Sequence, residues 1–190
     1  MSLRTRLILS LTSSFLVLIL IALGVTSIFS SIKFVWNSNI DIRNEGQNLN
    51  FEIDGLINGA QSFNAVSENG VIDNSRWEVP QTHTTFTKNN KSVILQFVFT
   101  NKSSTELKIV LTDILIDSLG RFLTQATNES NMELEITSTS LSAGSLETIL
   151  DAGIGKTKVI NLNYTLVKTN IPITGEDTDT QNLLITISDI

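Results

Sequence analysis

Residues 7–29 read LILSLTSSFLVLILIALGVTSIF, twenty-three residues without a charge. As a helix this segment would reach about 34 Å, enough for the roughly 30 Å hydrocarbon core of a bilayer. It has no polar face, so it does not suit a helix packed on a globular domain. Arg4 and Arg6 stand just before it, which predicts a cytoplasmic N-terminus and a translocated remainder. Lys33, Phe34 and Trp36 follow, residue types that favour the headgroup region, so Arg4, Arg6, Lys33 and Trp36 are the expected anchor flanks. The implied partner of residues 7–29 is the lipid bilayer. A cleaved signal peptide shares these features, with Ala22-Leu23-Gly24 or Val25-Thr26-Ser27 as cleavage sites. The apolar length and the aromatic pair behind it favour a retained signal anchor. The C-terminal domain is extracytoplasmic on either reading, single-pass if the leader stays and secreted if it is cut.

None of the nineteen acidic residues and only three of the thirteen basic ones precede Asn37, which leaves a net charge of −9 beyond it. A domain so acidic repels nucleic-acid phosphates, so no nucleic-acid partner is expected. The chain has no cysteine. That excludes disulfides, thiolate metal sites and cysteine nucleophiles, and leaves the apolar core to hold the domain together.

Past Asn37 the apolar period becomes two. Leu49, Phe51 and Ile53 begin a series of strands. Val93, Leu95, Phe97 and Phe99 alternate with Ile94, Gln96, Val98 and Thr100, apolar enough on both faces for a central strand. Asn101 to Ser104 interrupts, and Leu107, Ile109 and Leu111 resume, a pattern that predicts a hairpin. Met132, Leu134 and Ile136, then Ile160, Leu162, Tyr164 and Leu166, then Leu183, Ile185 and Ile187 mark further strands. Residues 145–150 have room for one helical turn. The expected fold is all-β, an antiparallel immunoglobulin-like sandwich behind one N-terminal transmembrane helix. The expected divisions are 1–36 as the anchor, 37–50 as a polar spacer or first edge strand, and 51–190 as the extracytoplasmic domain.

No arrangement of catalytic groups emerges. His83 is the single histidine, set among threonines, and neither G-x-S-x-G nor H-E-x-x-H occurs. Gly153-Ile154-Gly155-Lys156-Thr157 resembles the end of a phosphate loop, but Leu150 stands where its first glycine belongs and a strand follows. It reads as a glycine-rich turn. Asp113 and Asp117 read as surface charge. Glu176, Asp177 and Asp179, in an acidic loop before the last strand, are weak calcium candidates without the spacing of an EF-hand. Asn90, Asn101, Asn128 and Asn163 begin N-x-S/T sequons, of which the three in turns (Asn90, Asn101, Asn128) are expected to be accessible. No cofactor is expected, and the protein is read as non-enzymatic.

Residues 92–123, SVILQFVFTNKSSTELKIVLTDILIDSLGRFL, resemble the central part of late-embryogenesis-abundant type 2 domains, also called water-stress/hypersensitive-response domains. Asn101-Lys102-Ser103 stands at that family's first turn, with Lys102 in place of its signature proline, and Gly120 at the second. Ala143-Gly144 through Leu166 matches the later part loosely. A second resemblance is to camelysin-type secreted fibre subunits, cysteine-free sandwiches behind a hydrophobic leader, through Gly24 to Ser30 (GVTSIFS). Both imply an immunoglobulin-like sandwich without catalysis. The leading expectation is a membrane-anchored interaction or structural module, binding through a sheet edge or the loops far from the membrane, with a protein partner or itself. The alternatives are a filament or matrix subunit, in which residues 31–51 add as a strand to a neighbour once the leader is cut, and a calcium-dependent binding domain.

Overall fold

The computed structural model describes residues 33–87, 90–112, 114–116, 122–124, 132–141, 145–169 and 176–190. The 7–29 segment, Arg4, Arg6, Asp113, Asp117 and Asn128 lie outside them. Among the described residues no helix is long and apolar enough to cross a membrane.

The strands, in chain order, are β1 (Lys33–Asn44), β2 (Phe51–Ile57), β3 (Ala60–Glu68), β4 (Val71–Asp73), β5 (Arg76–Glu78), β6 (Thr85–Phe86), β7 (Ser92–Asn101), β8 (Leu107–Thr112), β9 (Ile114–Ile116), β10 (Phe122–Thr124), β11 (Met132–Thr137), β12 (Glu147–Leu150), β13 (Thr157–Thr169) and β14 (Glu176–Asp189). They form two sheets. One runs β12-β8-β14-β1-β5, with β6 also paired to β1. The other runs β4-β3-β2-β7-β13-β11-β10-β9. The fold is all-β, and period-two alternation generates it: Phe51, Ile53, Leu95, Phe97, Phe99, Ile109, Ile160, Leu162, Leu183 and Ile185 are all buried between the sheets. β7 is central, flanked by β2 and β13.

Rings bridge the two layers. Trp77 of β5 stacks on Phe63 of β3 (5.3 Å between centroids, 12° between planes) and meets the edge of Phe97 at 6.0 Å. Trp36 of β1 lies on Tyr164 of β13 at 4.2 Å. Trp36 is fully buried, so the ring expected at the headgroups is part of the core. An indole after an apolar stretch suits either setting, since both are apolar on one side.

Four expectations are corrected here. Residues 37–44 are not a spacer or an edge strand; they complete β1, which is paired on both sides along part of its length. β1 and β14 run parallel, Lys33 opposite Glu176 through Asn44 opposite Ile187, so the sandwich is not purely antiparallel. Parallel neighbours need a long crossover, and here the rest of the domain lies between them. The expected hairpin of β7 and β8 is instead an arch, because the strands belong to opposite sheets. Two apolar-faced strands can pair edge to edge or face each other across a core, and alternation alone fits both. Residues 147–150 are strand β12 rather than a helical turn.

Two hairpins escaped the alternation argument but carry their own sequence mark. Asn58-Gly59 and Asn69-Gly70 join β2 to β3 and β3 to β4, with φ of 48° and 84°, and 50° and 84°. Positive φ at both central residues defines the turn whose twist matches paired strands, and Asn-Gly is its preferred sequence.

Candidate functional site

The registers place several loops at the end of the sandwich remote from Lys33. Asn44 ends β1 beside Ile187, Phe51 begins β2 opposite both Ser67 and Asn101, and Leu107 begins β8 opposite Asp189. Asn101 N–H donates to Lys156 O at 2.8 Å, which brings the 153–156 turn to the same end.

Side-chain hydrogen bonds knit these loops together. Asn44 Nδ2 donates to Ser67 Oγ (3.3 Å) and to Gly70 O (3.2 Å), and its Oδ1 accepts from Gly46 N–H at 3.0 Å. Ser67 Oγ donates to Leu49 O at 2.8 Å, and Asn50 Oδ1 accepts from Asn69 N–H at 2.6 Å. Asn50 N–H donates to Ser103 Oγ, which donates back to Asn50 O, at 3.1 and 3.0 Å. The arch is held from inside by Asn101, which is fully buried. Its Nδ2 donates to Thr105 O (2.7 Å) and Asp151 O (2.9 Å), and its Oδ1 accepts from Ser103 N–H at 2.7 Å. Two loops, the arch and the one after β12, thus share one polar side chain. Short polar side chains that reach nearby backbone groups are what fix irregular chain in one conformation.

Beside this network lies a shallow open groove lined by Asn50, Glu52, Ser67, Glu68, Asn69 and Lys102. Lys102 Nζ sits 2.9 Å from Glu52 Oε2, and Asn64 Nδ2 donates to Glu52 Oε1 at 3.1 Å. The hydrogen bond from Lys102, then that from Asn64, hold the Glu52 carboxyl below its ordinary value. The tip of the 153–155 turn carries Ile154, 79% exposed.

The other residues singled out by sequence are dispersed. Glu176, Asp177 and Asp179 are not in a loop; their backbone opens β14, at the register positions of Lys33, Phe34 and Trp36. Their side chains lie outside the described residues, and among those described no group of three acidic or histidine side chains is placed to hold a metal. His83 is exposed in a turn, its N–H bonded to Pro80 O. Gly153 to Thr157 is a turn with positive φ at both glycines, leading into β13. Asn90 is exposed, whereas Asn101 is not the accessible sequon expected: its amide nitrogen is buried and bonded to two carbonyls. Asn163 is half-buried within β13, between β7 and β11. Asn44, Asn50 and Ser67 were not singled out by sequence; the Asn-Gly at 69–70 was the available signal for the end they occupy.

No family model matches the chain, and no curated protein is similar to it in sequence. Among solved structures, the yeast delta-COP-I mu-homology domain aligns over 83% of this chain and 95% of that one, at 7% identity and a TM-score of 0.17. A pilus-presented adhesin, Spy0125 (Cpa), aligns over 81% of this chain and 28% of its own, at 8% identity and a TM-score of 0.14. Likenesses of this size carry no argument about fold or function.

Proposed function

We propose that this chain is a membrane-anchored, extracytoplasmic, non-enzymatic β-sandwich module of immunoglobulin-like type that presents the loop end remote from Lys33 to a protein partner. The observation that carries this reading is the hydrogen-bonded loop network around Asn44, Asn50 and Asn101. Loops fixed in advance lose little conformational entropy when a partner docks, which is what a recognition surface requires. Their polar side chains are spent on one another, a structural use rather than a chemical one. The apolar stretch ends at Phe29 and β1 begins at Lys33, so a retained anchor would hold the near end of the sandwich at the bilayer and turn the loop face outward.

The chain's lack of cysteine makes the test clean. A single thiol at Ile154→Cys should react with a membrane-impermeant maleimide on intact cells, and protection there would overturn the extracytoplasmic placement. A photo-crosslinker on that thiol should give an adduct of one discrete mass, while the same probe at Ile94→Cys, on an outer sheet face, should give none. Equal yields at both positions would remove the loop face as the docking surface.

A second reading, the filament or matrix subunit, is favoured by one feature. β1 is the first described strand, and its longest pairing is with β14. Exchanged between copies, β1 of one chain would complete the sheet of the next. Asn39 and Asn182 are register partners whose side chains touch, Nδ2 to Oδ1 at 3.2 Å. An Asn39→Cys/Asn182→Cys disulfide formed within one chain should abolish assembly. Filaments built from such locked chains would sink the exchange.

A further inference from the structure

The outer neighbour of β1 is a single interrupted strand. β5 pairs with residues 39–41 and β6 with residues 34–35. The registers disagree: Asn39 stands opposite Glu78 but Phe34 opposite Phe86, so the outer strand holds three more residues than β1 between these points. The surplus leaves the sheet as a turn. Pro80 cannot donate to a ladder and starts the excursion; His83 N–H then donates to Pro80 O at 2.9 Å and Thr84 N–H to Gln81 O at 3.1 Å. The ladder closes on either side, Val79 N–H to Ser38 O and Trp36 N–H to Thr84 O, each 3.0 Å. Gln81 Nε2, donating to Asn37 Oδ1 at 2.8 Å, pins the buckle from outside.

Under this roof lies a group of polar atoms that the protein leaves unsatisfied. Trp36 and Ser38 share the inner face of β1, and Thr84 stands opposite Trp36 across the ladder. Tyr164 reaches Trp36 from the other sheet. All four side chains are at least 97% buried. Trp36 Nε1, Ser38 Oγ, Thr84 Oγ1 and Tyr164 Oη have no hydrogen-bond partner within the protein. An orphaned buried polar group forfeits its hydration without return, and four of them would consume much of a domain's marginal stability. Buried polar groups are ordinarily satisfied, so four orphans on adjoining residues point to a partner that the protein does not itself supply.

We propose that the buckle roofs an internal hydration site bridging the two sheets, where ordered water accepts from Trp36 Nε1 and joins the hydroxyls of Tyr164, Ser38 and Thr84. The donor set specifies a small, neutral guest. It offers one donor-only group and three hydroxyls that both give and accept, which is the complement of water. Burial pushes the Tyr164 phenol above its ordinary value, so it stays a neutral O–H donor.

The test uses the full chain in detergent, labelled with nitrogen-15, with the two indole resonances assigned through Trp77→Phe. The Trp36 indole N–H should show a cross-peak to long-lived water. Tyr164→Phe then removes one arm of the bridge and should lower the thermal midpoint by about 2–4 °C. A dry site gives the opposite sign, because deleting an orphaned hydroxyl relieves a penalty. An unchanged or raised midpoint overturns the proposal, as does an indole N–H without a water cross-peak. Thr84→Ser keeps a hydroxyl while Thr84→Val does not, so Thr84→Ser should retain the cross-peak and Thr84→Val should weaken it. The cross-peak in the unsubstituted protein decides the matter if any variant fails to fold.

Discussion

Gly55→Ala is expected to destabilise this protein although the same change in a strand ordinarily stabilises it. Glycine in a strand interior forfeits about 0.5–1 kcal/mol of backbone entropy relative to alanine. Gly55, however, lies beneath the ring of Trp77. A methyl there would stand 2.6 Å from Cζ3, 2.9 Å from Cε3 and 3.0 Å from Cη2. Carbon atoms pack at about 3.5–4.0 Å, so the ring would have to retreat by about 1 Å. It is held by the stacked Phe63 and by the edge contact with Phe97. Overpacking a filled core costs about 1–3 kcal/mol, which lowers the thermal midpoint of a domain this size by roughly 3–10 °C. Calorimetry or near-ultraviolet circular dichroism of the variant in detergent measures it. The partner experiment repeats Gly55→Ala in a Trp77→Phe background, where the smaller ring leaves room and most of the penalty should vanish. An equal penalty in both backgrounds, or a stabilised single variant, would refute the steric account.

Four more outcomes follow from polar and turn residues. Asn101→Ala should cost about 3 kcal/mol by orphaning the carbonyls of Thr105 and Asp151 and the N–H of Ser103, read as a lower urea midpoint; a loss below about 1 kcal/mol would deny the arch its internal brace. When the chain is expressed through a glycosylating secretory route, peptide mapping should find Asn101 bare and Asn90 open to modification, and a glycan on Asn101 would mean that the arch closes after modification. Glu52 has a folded-state pKa below its unfolded one, so its contribution is present above the ordinary carboxylate value and is lost as pH falls through the folded value. The pair is partly exposed and worth less than about 1 kcal/mol; Lys102→Met should flatten stability between about pH 5 and pH 3, whereas an unchanged acid slope would show that the ion pair contributes nothing. Gly70→Ala should cost about 1–2 kcal/mol, because φ is 84° and the added Cβ meets Asn48 N at 3.2 Å.

What the sequence disclosed was the inner face of each strand. Val93, Leu95, Phe97 and Phe99, and Ile160, Leu162 and Tyr164, are buried as their alternation requires, and the centrality of β7 follows from its second apolar face. Partner and direction were not disclosed, since alternation is the same for a hairpin and an arch, and for parallel and antiparallel neighbours. Polar strand segments were hidden for a related reason. Asn37-Ser38-Asn39 and the run from Glu176 to Asn182 look like loop, but backbone pairing holds them in the sheet whatever their side chains prefer. The loop network was hidden most deeply. An asparagine in a turn and a buried asparagine that braces a turn read alike, and only the fold separates Asn90 from Asn101.

The parallel run of β1 beside β14 also sets how the molecule answers to mechanical load. A pull applied between Lys33 and the C-terminal Ile190 acts on opposite ends of two adjacent strands. The twelve residue pairs between them are then strained together in shear, rather than peeled apart one rung after another as in a zipper. Rupture demands the simultaneous loss of the whole ladder, so the domain resists tension along the axis from its Lys33 end to its far tip far better than tension across it.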